Sequence, residues 1–126
     1  MHDQDHHLSG AQWSIMESLW DSGALTSREA TEKLQKKNGW NRSTTLTLLR
    51  RMEEKELIGS SVKDGVKLFF PLLEKEEVAR KETETLLDRV YNGSLSLLVS
   101  AMTQKRSLPQ EEIDQLHALL KELEGK

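Results

Sequence analysis

The sequence predicts a mainly α-helical protein with one small β-hairpin. Apolar residues recur at helical spacings, and residues that cap helices stand in front of these runs, which together predict the helices. A change to strand-like residues around Asp64-Gly65, a pair typical of two-residue turns, predicts the hairpin. The chain has 126 residues, enough for one domain or for a small domain with an appendage.

Composition limits the chemistry and the environment of the protein. The sequence contains no cysteine, which excludes disulfides, thiolate metal sites and cysteine nucleophiles. No apolar run approaches the length of a membrane span and the start is not a signal peptide, so we expect a soluble, cytoplasmic protein without membrane insertion. No cofactor is expected. The histidines and acids between His2 and His7 fit a flexible tail over 1–8 better than a metal site, because nothing nearby fixes a ligand geometry.

The first two helices each start with a capping box, in which a side chain and a backbone N–H bond reciprocally. Ser9 and Gln12 form the first box. The buried residues expected in this helix are Trp13, Met16, Leu19 and Trp20. Thr26 and Glu29 form the second box, and Asn38-Gly39 provides the C-cap of the second helix.

A third helix is predicted from Trp40 to Gly59, with Asn41 as its N-cap. Its expected buried stripe consists of Thr45, Leu48, Leu49 and Met52. The other face is short, polar or basic, and carries no acid before Glu53. Two short helices, a tight turn and a further helix with such a face predict a helix-turn-helix. The candidate DNA-binding residues on this helix are Arg42, Ser43, Thr44, Leu46, Thr47, Arg50 and Arg51.

Charge is concentrated on the second and third helices. The net charge is −3, but the segment 28–51 holds seven bases and two acids. Such a face can press against a phosphate backbone without repulsion and can lie in a major groove. The alternative is an ordinary solvated helix face.

A hairpin that directly follows a helix-turn-helix is a wing, so 9–73 is predicted to be a winged-helix domain. Lys63 and Lys67 flank the tip of the hairpin, where they can contact phosphate. Lysines also protect an edge strand from aggregation, and the two roles are compatible.

Three more helices are predicted after Pro71, in the segment 74–126. They carry more apolar surface than a winged helix of this size can cover, which indicates a homodimer interface. The alternative is a small bundle packed back on the same chain. The expected dimerisation residues are Leu86, Val90, Leu95, Leu98, Met102, Ile113, Leu116 and Leu120.

Four stretches, in the same order and spacing, resemble the penicillinase repressors, a family that includes the methicillin-resistance and copper-responsive repressors. The stretches are Leu8-Ser9-Gly10-Ala11-Gln12-Trp13, the helix from Trp40 to Lys55, Val90-Tyr91-Asn92-Gly93-Ser94, and Leu108 to Leu116. The resemblance covers nearly the whole chain from Leu8 onward.

The resemblance implies a winged-helix dimer that represses transcription from double-stranded DNA operators with inverted TACA/TGTA half-sites. It places Thr44, Thr47 and Arg51 at or beside the DNA backbone. Leu46 stands where relatives often place a base-reading side chain, and leucine can contact only a thymine methyl group.

Two departures from the family concern the signal that releases DNA. The absence of cysteine excludes copper sensing through a thiolate cluster. Family members that respond to β-lactams are cut by a membrane sensor-protease at an Asn-Phe bond, and the matching position here is Ala101-Met102.

Other function classes are less well supported by the sequence. An enzyme is not expected, because no nucleophile–base set or glycine-rich phosphate loop is present. A winged helix that binds only proteins and a small-ligand-responsive winged-helix regulator remain alternatives. A steep loss of DNA affinity with salt would distinguish a DNA-binding protein from a protein-interaction module.

Overall fold

The computed structural model describes residues 7–125, as six helices and one three-stranded antiparallel sheet. The chain divides into two compact units, Met1–Glu82 and Thr83–Lys126, so the boundary falls inside the fourth helix. Most of the predicted tail, residues 1–6, lies outside the described residues. Leu8, at the end of that tail, is buried in the core of the first unit.

The first unit is a winged helix-turn-helix, which confirms the predicted fold class. Its helices are α1 (Gly10–Ser22), α2 (Ser27–Asn38), α3 (Arg42–Glu54) and the start of α4 (Lys75–Val90). Its strands are β1 (Leu25–Thr26), β2 (Ile58–Lys63) and β3 (Val66–Pro71).

The predicted helix caps are confirmed. Both capping boxes are complete, with the Ser9 side chain accepting from the Gln12 N–H and the Thr26 side chain accepting from the Glu29 N–H. The Asn41 Oδ1 accepts from the Thr44 N–H at 2.8 Å and starts α3. Each cap satisfies a backbone donor that the first turn of a helix leaves free.

The core of the first unit lies between the helices and one face of the sheet. Ile15, Met16 and Leu19 of α1 are buried, whereas Trp13 and Trp20 are only partly buried, which corrects the predicted core of this helix. The two indoles pack edge to face with centroids 5.5 Å apart. The remaining core residues are Leu8, Leu25, Ala30, Leu34, Leu49, Met52, Leu57, Ile58, Phe69 and Val78.

The prediction of a single helix from Trp40 to Gly59 is wrong at its C-terminal end. α3 stops at Glu54, and the chain continues as β2 from Ile58. Leu57 and Ile58 are buried, so the core holds these residues in an extended segment beside β3. Tertiary packing therefore overrides the helix propensity of the preceding charged residues.

The turn after α3 is a Schellman motif. The Glu56 N–H donates to the Glu53 carbonyl and the Leu57 N–H donates to the Met52 carbonyl, each at 3.0 Å. Glu56 has a φ of 63°, a left-handed conformation in which glycine is the usual residue.

Replacing Glu56 by glycine should stabilise the protein by about 1 kcal/mol, because glycine adopts this φ without steric cost. The change is measured as the urea midpoint of unfolding. Lys55→Gly is the matched control, since Lys55 has a φ of −84° and gains nothing from glycine. A midpoint that falls in Glu56→Gly would contradict the prediction.

The wing is the predicted hairpin with one strand added. Asp64 and Gly65 both have positive φ, of 54° and 77°, as a two-residue type I′ turn requires. Lys63 pairs with Val66 next to the turn. The short strand β1 pairs with β3, a partnership absent from the prediction because two residues carry no periodicity.

The second unit contains the rest of α4, α5 (Leu95–Thr103) and α6 (Gln110–Glu124). Ser94 caps α5 through its hydroxyl, which accepts from the Leu97 N–H at 3.2 Å. Within the described residues 83–125, no side chain is buried. This unit therefore has no core of its own in a single chain.

Candidate nucleic-acid interface

The helix α3 separates a buried face from an exposed polar face, as the sequence predicts. Thr45, Leu49 and Met52 are almost completely buried, while Leu48 is only half-buried. The α2–α3 turn orients this helix, because Gly39 adopts a left-handed φ of 73° and its N–H caps the α2 carbonyls.

The exposed face of α3 brings together most of the predicted DNA-binding residues. Thr47 and Leu46 are half-buried, and Leu46 also packs against the core. The exposed members of the set are Arg42, Ser43, Thr44, Arg50 and Arg51.

Three arginines on this face differ in their partners. Arg50 pairs with Glu54 one turn later, with Nη1 and Oε2 3.6 Å apart and both side chains mostly exposed. Arg42 and Arg51 make no ion pair with any residue from 7 to 125. An exposed pair contributes little and is easily exchanged, so all three guanidinium groups are available to an anion.

The two wing lysines have different surroundings, which the sequence does not predict. Lys63 is exposed next to the turn and has no ion-pair partner among the described side chains. Lys67 Nζ lies 3.3 Å from Glu53 Oε1 and 5.1 Å from the centroid of the Phe69 ring. Lys67 is therefore held against the base of the wing.

Glu53 is the residue of this region that sequence reasoning missed. It accepts a hydrogen bond from the Ser60 hydroxyl, and this bond together with nearby Lys67 lowers the pKa of the Glu53 carboxyl below its usual value. The two bonded residues lie on different elements, so no local spacing in the sequence marks the pair.

The predicted dimerisation residues all lie in the second unit and are wholly or partly exposed. Leu95 and Leu120 have exposed fractions of 57% and 55%. Leu98 and Ile113 are half-buried, while the other members (Leu86, Val90, Met102 and Leu116) are exposed. On α6, Leu119 and Leu123 are exposed as well.

The part of the chain that the structure describes shows no cluster of three or more His, Cys, Asp or Glu side chains able to hold a metal ion. His2 and His6 lie outside the described residues. None of the described helices is long and apolar enough to cross a membrane.

Comparison with known proteins identifies the family. The model of the family described as Penicillinase repressor matches residues 8–122, which is most of the chain. The chain belongs to the penicillinase repressor family.

Two similar relatives match this chain over nearly their full length. The methicillin resistance regulatory protein MecI of Staphylococcus aureus is 25% identical over 120 residues, which cover 95% of this chain and 98% of MecI. The penicillinase repressor of Bacillus licheniformis is 25% identical over 115 residues, covering 91% of this chain and 90% of the relative. The first relative is named as a regulatory protein and the second as a repressor, which is a non-enzymatic role.

Two solved structures of BlaI share the winged-helix fold. The solution structure of the DNA-binding domain of the repressor BlaI matches with a TM-score of 0.53 at 20% identity, covering 60% of this chain and 93% of that domain. The second structure is the monomeric form of Bacillus licheniformis BlaI in complex with the blaP half-operator. It also has a TM-score of 0.53 at 20% identity, and the match covers 59% of this chain and 90% of the BlaI chain.

Proposed function

We propose that this penicillinase repressor family member, a sequence-specific DNA-binding transcriptional repressor, binds an inverted-repeat operator as a homodimer. Each α3 would enter a major groove, and each wing would follow the adjacent backbone. The proposal places the protein with the DNA in the cytoplasm. The observation that carries it is the exposed face of α3, which presents Arg42, Arg50 and Arg51 and no acid before Glu53.

The residues on this face suit two kinds of DNA contact. Guanidinium groups and the hydroxyls of Ser43, Thr44 and Thr47 donate hydrogen bonds to phosphate oxygens, which position a protein on the duplex. Arg50 can also reach a guanine edge, and Leu46 can contact a thymine methyl group. Ser43 and Thr44 belong to the first turn of α3, where the positive end of the helix dipole also favours phosphate, although the Thr44 N–H itself is bound to the Asn41 cap.

The proposal is tested by fluorescence anisotropy with a duplex that carries two inverted TACA/TGTA half-sites. A duplex of the same composition with scrambled half-sites is the control. We expect the inverted repeat to bind more tightly, with an affinity that falls steeply as salt is raised, because phosphate contacts release counterions. Equal, salt-independent binding of both duplexes would refute the proposal and favour a protein-interaction module.

Leu46→Ala should alter the preference at one or two base pairs by about 1 kcal/mol, because the contact with a thymine methyl group is lost. Competition among duplexes with single substitutions measures this preference. Leu48→Ala is the matched control, since Leu48 is also half-buried and packs against the core. An unchanged preference in Leu46→Ala would place Leu46 outside the groove.

We propose a membrane sensor-protease as the partner that releases the protein from its operator. A sensor-protease that is specific for an Asn-Phe bond should cut this chain poorly. Ala101 and Met102 occupy the matching position within α5, where a helical backbone protects the bond. Incubation with an activated family protease, followed by mass analysis of fragments, tests this. Rapid cutting between Ala101 and Met102 would show that the position alone is recognised.

A further inference from the structure

Glu53 connects the last turn of α3 to both strands of the wing. Its carboxylate accepts a hydrogen bond from the Ser60 hydroxyl on β2 and lies 3.3 Å from the Lys67 ammonium on β3. Ser60 and Phe69 are paired in the sheet, and the Phe69 ring is buried in the core. The carboxylate, the ammonium and the ring therefore form one connected group at the base of the wing.

The rest of the wing has few contacts that could set its direction. Every residue from 61 to 67 is exposed, and Val62 has an exposed fraction of 72%. The hairpin hydrogen bonds hold the two strands to each other, but they do not hold the tip against α3. The wing is therefore held at its base, where Leu49 and Met52 of α3 share the core with Ile58 and Phe69, and where Glu53 adds polar contacts to both strands.

Lys63 and Lys67 would have to give up different contacts in order to bind a phosphate. Lys67 would have to leave both the Phe69 ring and the Glu53 carboxylate, which is less exposed than the Glu54 partner of Arg50, and these losses offset part of the gain of a phosphate contact. Lys63 has no ion-pair partner among the residues described, so it gives up only water.

We propose that Glu53 is a positioning residue, which holds the wing at a fixed angle to α3 and keeps Lys67 away from the DNA backbone. Lys63 then supplies the phosphate contact of the wing. This inference rests on the proposed function, because it assigns roles within the same DNA interface.

Four variants test the two parts of the proposal. Lys63→Met and Lys67→Met each remove one ammonium group of the wing. Glu53→Gln releases Lys67 but keeps an oxygen for Ser60, whereas Glu53→Ala removes both contacts. Glu56→Gln is the charge-matched control, because Glu56 is exposed, lies just beyond α3, and has no ion pair with a described residue.

The first measurement is the salt dependence of operator binding. Lys63→Met should lower the slope of log affinity against log salt by about one for each half-site, and Lys67→Met should leave the slope unchanged. Glu53→Gln should raise the slope by about one for each half-site, since Lys67 becomes free to contact phosphate. Glu56→Gln should not change it. Equal losses of slope in Lys63→Met and Lys67→Met would overturn the assignment.

The second measurement is amide hydrogen exchange of residues 61–66 in the free protein, which needs no DNA. Exchange should be several-fold faster in Glu53→Ala than in the wild type, intermediate in Glu53→Gln and unchanged in Glu56→Gln. Unchanged exchange in Glu53→Ala would overturn the positioning role. Failure of the wild type to bind the operator would instead refute the proposed function, while the exchange result would still test the connection.

Discussion

Replacing Leu120 by aspartate should convert the protein into monomers that no longer bind the operator. The second unit has no buried side chain among residues 83–125, yet its helices expose many leucines. A second copy of the chain can cover this surface. In a symmetric dimer, the substituted residue of each copy would then lie in the interface. Because an unpaired carboxylate in an apolar interface costs several kcal/mol, we expect dimer dissociation to increase at least about 100-fold.

Sedimentation at micromolar concentration measures the oligomeric state, and anisotropy measures operator binding. Leu120 is exposed in the single chain, with a fraction of 55%, so the substitution does not disturb the core of the first unit. Gln115→Asp is the control, because it adds the same charge to another exposed position of α6. A wild type that sediments as a monomer would exclude the dimer, and a dimeric Leu120→Asp would place the interface elsewhere.

Arg51→Ala should weaken binding to every DNA sequence and reduce the salt slope by about one for each half-site. Arg51 is exposed on α3 and forms no ion pair with another described residue, so nothing within the protein replaces its contact. A phosphate contact does not depend on the base sequence, so the preference of the protein for its operator sequence should stay the same. The proposed dimer would carry two copies of Arg51, so the loss of slope is counted twice.

Salt titrations of operator and scrambled duplexes measure this effect. Arg106→Ala is the matched control, since Arg106 lies between α5 and α6 in the second unit and is exposed. If Arg51→Ala reduced only operator binding and left the scrambled duplex unaffected, Arg51 would contact a base instead of phosphate.

Features of the chain that depend on near neighbours can be predicted from the sequence. The caps at Ser9, Thr26 and Asn41 each join residues three positions apart, and the turn at Asp64-Gly65 needs only two residues that accept positive φ. The helix-turn-helix, the wing and the exposed basic face of α3 follow from these signals and from apolar periodicity. The family motifs are likewise read from the residues themselves.

The homodimer, the base contact of Leu46 and the phosphate contact of Arg51 remain predictions, because they concern surfaces that another molecule must cover. Leu46 illustrates the difficulty. Its position on α3 suggests a groove contact, but it also packs against the core. One side chain can serve both purposes, and only binding to DNA separates them.

By itself the sequence determined where helices begin, where the hairpin turns and which family the chain resembles, because short-range hydrogen bonds and backbone preferences decide these. Tertiary structure alone decided where α3 ends, since burial of Leu57 and Ile58 outweighs the helix propensity before them. It also decided that β1 joins β3 and that Glu53 binds Ser60 and Lys67. Each of these features depends on contacts between segments that are distant in the sequence, and a local sequence pattern cannot predict such contacts.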